Sequence, residues 1–149
     1  MESDTCKVIV AEDHAMMRDR VLALLRLHFE VVASVSNGQD LISETQRFCP
    51  DVVVTDISMP ILNGIAAAGE LRKVGSPAKV VFLTVHSDAA LVEKCFAEGG
   101  LGYVHKSRLR TDLIPAIKEA LCGRHFVSSV VDRSRGAPQV AISVKALGL

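Results

Sequence analysis

Short apolar runs recur along this chain over 7–11, 31–35, 52–56, 80–83 and 102–105, and a helical pattern separates each from the next. Each run is too short for a free-standing helix and reads as a buried strand. In the first interval Met17, Val21, Leu24 and Leu25 fall at helical spacing within 14–28. The second carries Leu41, Ile42 and Thr45, with Ser36-Asn37-Gly38 able to cap it and Cys49-Pro50 to end it. An alanine-rich stretch over 61–74 stops at Gly75-Ser76-Pro77. The fourth pattern holds Leu91, Val92, Cys95 and Phe96, capped by Ser87 or Asp88 and closed by Gly99-Gly100. The last holds Leu113, Ile114, Ile117 and Leu121, with Thr111 or Ser107 as cap and Pro115 in about its first turn. Five strands alternating with five helices through short connections predict an α/β fold: a doubly wound parallel sheet with helices on both faces.

That arrangement decides where chemistry can lie, because the residues just past the strand ends converge on one edge of the sheet. The first strand ends in Glu12-Asp13, the third in Asp56, the fourth in Thr84 and the fifth in Lys106. Three carboxylates gathered there repel one another, and a hard divalent cation with oxygen ligands relieves the repulsion. Magnesium suits such a site and commonly shares a phosphoryl group. Lys106 is a point charge fitted to phosphate oxygens, and Thr84 can donate a hydrogen bond to one. Asp56 then reads as a carboxylate nucleophile that becomes an aspartyl phosphate.

These residues, with Asp56-Ile57-Ser58-Met59-Pro60, Asn63-Gly64, Leu83-Thr84 and Gly102-Tyr103-Val104-His105-Lys106 in order, resemble the receiver domain of two-component response regulators. The wording of 99–106 is similar to the NarL/FixJ branch, whose members usually carry a LuxR-type helix-turn-helix. The resemblance implies a flavodoxin-like, five-stranded sheet of order 2-1-3-4-5. It implies phosphorylation of Asp56 by a histidine kinase or a small phosphodonor. It implies Mg2+ held by Asp13, Asp56 and the backbone carbonyl of Ser58, with Glu12 acting through water. It further implies a switch in which Thr84 moves toward the phosphoryl group and Tyr103 turns from exposed to buried. Ser58 and His86 would tune how long the phosphoryl group survives. Pairing of two copies on phosphorylation is a further expectation from the family. Lys106 is followed by Ser107 where many receivers have proline.

The same reading bounds the rest. The receiver spans 5–123, and 124–149 is a linker or tail, with a linker-like stretch at 132–138 and an apolar end over 140–149 that reads as an extra strand, a tail or the stump of an output domain. No helix pair with a basic recognition helix follows the receiver, so DNA would be reached only through an output domain not recognisable here. Lysine plus arginine and aspartate plus glutamate number 17 each, so no basic surplus advertises nucleic acid. No apolar run approaches the ~20 residues of a membrane helix, and no signal peptide precedes the fold, which points to a cytoplasmic protein. Cys6, Cys49, Cys95 and Cys122 lie far apart and read as reduced thiols. The chain is read as a signalling domain, not an enzyme, expected only to catalyse its own phosphorylation and dephosphorylation, with transcription regulation as its output. Two other readings stay open: a metal-dependent phosphatase that also uses an aspartyl phosphate, and a pseudo-receiver that keeps the fold without phosphate chemistry. Against the first, Ser58 stands two residues past Asp56, where haloacid-dehalogenase-like enzymes carry a second acid.

Overall fold

The computed structural model describes residues 5–129. The five expected strands are β1 (Lys7–Ala11), β2 (Glu30–Val35), β3 (Val52–Asp56), β4 (Lys79–Thr84) and β5 (Gly102–His105). The helices are α1 (Ala15–Leu25), α2 (Gly38–Phe48), α3 (Gly64–Lys73), α4 (Ala89–Ala97) and α5 (Leu109–Leu121). All pairings are parallel. The sheet order is β2-β1-β3-β4-β5-β6, where β6 is a sixth strand, Phe126–Val127.

The sixth strand corrects the five-stranded expectation. Two residues are too few for any periodicity to register. The pairing is made instead by backbone groups that β5 leaves open at the sheet edge. Phe126 N–H donates to the Leu101 carbonyl and Ser128 N–H to the Tyr103 carbonyl, both at 2.9 Å. The sheet therefore continues past Gly123 through the positive-φ turn at that glycine. The apolar stretch over 140–149 lies outside the described residues.

Alternate strand residues feed two cores. Val8, Val10, Val52, Val54, Val81, Leu83 and Val104 pack against α1 and α5. Ile9, Ala11, Val53, Val80, Phe82 and Tyr103 pack against α2, α3 and α4. Every residue of β3 is buried, as expected of a central strand covered on both faces. Leu109, Leu113 and Ile117 of α5 belong to the first core, not to an open face.

Caps decide the helix starts. Asn37, Asn63 and Asp88 each accept a hydrogen bond from the first turn they precede. Asn63 places the start of α3 at Gly64, so 61–63 belong to the loop after β3. The last helix departs from expectation. Neither Ser107 nor Thr111 caps it; a single 3-10 turn, Lys106–Arg108, leads into it, and the His105 ring accepts the Ser107 N–H. Pro115 consequently falls inside α5, past its first turn, at an exposed position.

The loop that carries the sequence away from Asp56 is strained. Ile61 has φ +70°, and Leu62 N–H closes a three-residue turn on the Pro60 carbonyl at 2.7 Å. This form of γ-turn is rare, and a β-branched residue fits it poorly. Gly38 N–H holds the Leu62 carbonyl at 2.9 Å and keeps the loop against α2. Ile61 is 79% exposed, so its side chain gains little in return. Ile61→Gly should raise unfolding stability by about 1 kcal/mol, the left-handed penalty removed less glycine's entropy. Urea denaturation measures this, and a less stable variant would show that the turn is not strained.

Candidate functional site

The loops after β1, β3, β4 and β5 open on one edge of the sheet. Glu12 leaves β1 fully buried and is held at each of its backbone groups. Its N–H donates to the Val35 carbonyl at 3.0 Å, and its carbonyl accepts from Arg18 Nη1 at 2.8 Å. Its Oε2 accepts the His14 N–H at 3.1 Å. Asp13, the next residue, is exposed. Asp56 ends β3 with 7% exposure; Oδ1 accepts the Ile57 N–H at 2.7 Å. Oxygens of Glu12, Asp13 and Asp56 all lie within 4.8 Å of one another.

Lys106 joins the acids. Its Nζ is 2.9 Å from Glu12 Oε1 and 3.0 Å from Asp56 Oδ2. The first contact is an ion pair without hydrogen-bond direction, and Glu12 Oε1 has no other partner. Burial, reinforced by the Asp56 charge, raises the Glu12 carboxyl above its ordinary range despite the Lys106 ammonium beside it. Burial pulls the other way on Lys106, but its contacts with the Glu12 and Asp56 carboxylates outweigh it and raise the amine. The site thus contains a buried oxygen that lacks a directed donor, beside two further carboxylates and one amine. An acidic pocket of this kind is compatible with a divalent cation on the chemistry of its donors.

Thr84 is 1% exposed at the end of β4, one residue past Leu83, the register partner of Asp56. Its Oγ1 accepts the His86 N–H at 3.0 Å, and the Tyr103 hydroxyl donates to the His86 carbonyl at 3.1 Å. Thr84 and Tyr103 are therefore linked through the backbone of one residue, His86, in the loop after β4. Tyr103 is fully buried, the inward of the two positions expected, and burial pushes its hydroxyl well above the ordinary tyrosine range. Ser58 and His86 are exposed on neighbouring loops. The structure brings together Glu12, Asp13, Asp56 and Lys106 by direct distance. Thr84 and Tyr103 stand beside them on adjoining strands.

Sequence reasoning passed over Arg18, which fixes the Glu12 carbonyl, and His105. The His105 ring spans from the Val85 carbonyl, 2.9 Å from Nε2, to the Ser107 hydroxyl, 2.8 Å from Nδ1. Only its place beside Lys106 could have marked it. All four cysteines are free; burial pushes Cys95 up to about 12 and Cys6 to about 11, which keeps both thiols protonated.

The model of the response regulator receiver domain matches residues 8–118. The chain belongs to the response regulator receiver family. It is 30% identical over 123 residues to the transcriptional regulatory protein DegU of Brevibacillus brevis, covering 81% of this chain and 52% of that protein. It is 31% identical over 113 residues to the transcriptional regulatory protein LnrK of Bacillus subtilis strain 168, covering 74% and 51%. A crystal structure of a two-component response regulator of the LuxR family from Aurantimonas sp. SI85-9A1 superposes with a TM-score of 0.81 at 29% identity, covering 86% of this chain and 93% of that one. The receiver spans about half the length of the curated relatives it matches. The match places it among signalling domains rather than metabolic enzymes. Among the described residues, no helix is long and apolar enough to cross a membrane.

Proposed function

We propose that this receiver is a phosphorylation-operated switch in which Asp56 accepts the phosphoryl group. The observation that carries the reading is Lys106 Nζ lying within 3.0 Å of both Asp56 Oδ2 and Glu12 Oε1. An amine in that place is already where charge on a transferring phosphoryl group must be neutralised. A carboxylate oxygen of Asp56 forms the new P–O bond while the donor's bond to phosphorus breaks, and the leaving group keeps the electron pair. The donor is a histidine kinase's phosphohistidine or a small acyl phosphate.

Asp13 and Asp56, the Ser58 carbonyl and, through water, Glu12 would hold Mg2+. When bound, the ion supplies charge neutralisation for the phosphoryl oxygens. Ile57 N–H orients the Asp56 carboxylate through its 2.7 Å bond to Oδ1. Thr84 is placed to turn its hydroxyl to a phosphoryl oxygen. That turn takes the acceptor away from His86 N–H, and the loop that also binds the Tyr103 hydroxyl must rearrange. The added group brings roughly −1.5 to −2 charge, enough to bias a two-state packing of β4, β5 and α4. Exposed Ser58 and His86, on the loops after β3 and β4, tune the lifetime of the phosphoryl group. That two relatives, DegU and LnrK, are transcriptional regulatory proteins supports transcription control as the output in longer proteins, reached through a domain beyond the receiver. Pairing of two receivers on phosphorylation and a cytoplasmic setting belong to the same reading.

Beryllium trifluoride, a phosphoryl stand-in, tests it. The chain has one tyrosine and no tryptophan, so its intrinsic emission reports Tyr103 alone. Adding beryllium trifluoride with Mg2+ should change that emission and raise the melting temperature, and Asp56→Asn should respond to neither. An equal response from Asp56→Asn would remove Asp56 from the acceptor role.

A further inference from the structure

A buried polar cluster outside the acid pocket surrounds Lys106 from both sides along the chain. Ser128, just past β6, has no exposed surface, and Asp112 on α5 has 6%. The Ser128 hydroxyl donates to Asp112 Oδ2 at 2.7 Å and accepts the His105 N–H at 3.0 Å. Asp112 Oδ2 also faces Arg108 Nε at 3.5 Å, and Thr111 donates to its Oδ1 at 3.0 Å. His105 precedes Lys106 and Arg108 ends the 3-10 turn that Lys106 begins. One carboxylate therefore holds the backbone before Lys106 by hydrogen bonds through Ser128, and draws the side chain two residues after it by charge alone, since Arg108 Nε makes no hydrogen bond.

This cluster does more than close the sheet edge. Backbone pairing already ties β6 to β5, and an apolar side chain at 128 would fill the same space without burying a hydroxyl against a charge. What the Ser128 hydrogen bonds add is direction, since each weakens steeply when its donor turns off line.

We infer that Ser128 and Asp112 are positioning residues for Lys106, setting the turn that carries its amine onto Glu12 and Asp56. The inference rests on the proposed role of Lys106 in phosphoryl uptake. It makes the segment after α5, through Ser128, part of the receiver's own machinery. It also has a sign that fold stability alone does not. A displaced Lys106 no longer neutralises the acid pocket, so Mg2+ should bind more tightly even as phosphoryl uptake slows.

The test compares Ser128→Ala, Asp112→Asn and Lys106→Met with the wild-type chain. Mg2+ affinity is measured by calorimetry without phosphodonor, and uptake from acetyl phosphate by intact mass. Ser128→Ala should bind Mg2+ roughly two- to fivefold more tightly. It should take up phosphate about tenfold more slowly, a fraction of what a misplacement of about 1 Å can cost. Asp112→Asn, which keeps an acceptor for Ser128, should fall between it and wild type, and it carries the test if Ser128→Ala does not fold. In a Lys106→Met background, Ser128→Ala should leave Mg2+ affinity unchanged, because the pathway it acts through is gone. A lower melting temperature with wild-type Mg2+ affinity and uptake would reduce the cluster to a structural role and overturn the inference. If the wild-type chain takes no phosphoryl group, the receiver chemistry fails, and the Mg2+ affinities still decide whether the cluster sets Lys106.

Discussion

Lys106→Met should slow phosphoryl uptake by about a hundredfold or more, the usual loss when one preorganised charge donor is removed. Methionine keeps much of the aliphatic stem, so the change isolates the amine. Two further effects follow from the same geometry. The amine is the counter-charge for Glu12, which is fully buried, and for Asp56, which is 7% exposed. Without it the metal-free protein should lose about 3 kcal/mol, as when one partner of a buried pair is deleted. That loss depends on pH with a definite sign. Glu12 already has a raised carboxyl, and removing Lys106 raises it further. The folded state then holds a proton that the unfolded chain releases above the ordinary glutamate value of 4.5. The stability deficit is therefore smallest below that pH and widens as pH rises above it. Mg2+ should recover part of the deficit at neutral pH by supplying the missing charge. Urea titrations at several pH values, with and without Mg2+, read all three. A Lys106→Met protein with wild-type uptake and a flat deficit would remove the amine from the site.

Gly64→Ala should be the most damaging small substitution near the pocket. Gly64 opens α3 directly against β3, and its N–H donates to the Ile57 carbonyl at 2.8 Å. A Cβ there would lie 2.0 Å from the Asp56 carbonyl oxygen and 3.0 Å from Thr55 Oγ1. The first obstacle is backbone in the most buried strand, so it cannot swing aside. Either α3 lifts from the sheet or the end of β3 shifts, and the second moves Asp56 itself. Overpacking of this kind costs about 3 kcal/mol. For a domain of this size the melting temperature should fall by about 10 °C. Phosphoryl uptake should drop with it, because Ile57 N–H, which orients Asp56, sits in the same connection. Near wild-type melting and uptake for Gly64→Ala would mean that the approach of α3 to β3 is looser than the structure has it.

The site was legible in the chain because of how parallel sheets are built. Buried strands such as Val52-Val53-Val54 appear as unbroken apolar runs, and the residue after each run lands on the same edge. Glu12, Asp13, Asp56 and Lys106 could therefore be grouped before any distance was known. What stayed hidden depends on contacts with no local signature. β6 is two residues long, and its pairing is a property of the open edge of β5. Ser107 and Thr111 have the chemistry of caps, yet His105 caps the 3-10 turn before α5, and only its position relative to the loop after β4 makes that possible. Ile61 follows a proline and reads as the start of a helix; the closure of the loop onto Gly38 forces it into the left-handed region instead. Ser128 and Asp112, 16 residues apart, meet only because α5 returns the chain to β5.

The most direct test of the central claim is the intact mass of the chain after incubation with acetyl phosphate and Mg2+, beside Asp56→Asn and a sample with EDTA. The wild-type chain should gain one phosphoryl group with Mg2+, and neither control should gain any. A wild-type chain that gains nothing, or an adduct that persists in Asp56→Asn, would contradict the claim and leave a receiver fold that serves as an interaction module without phosphoryl chemistry at Asp56.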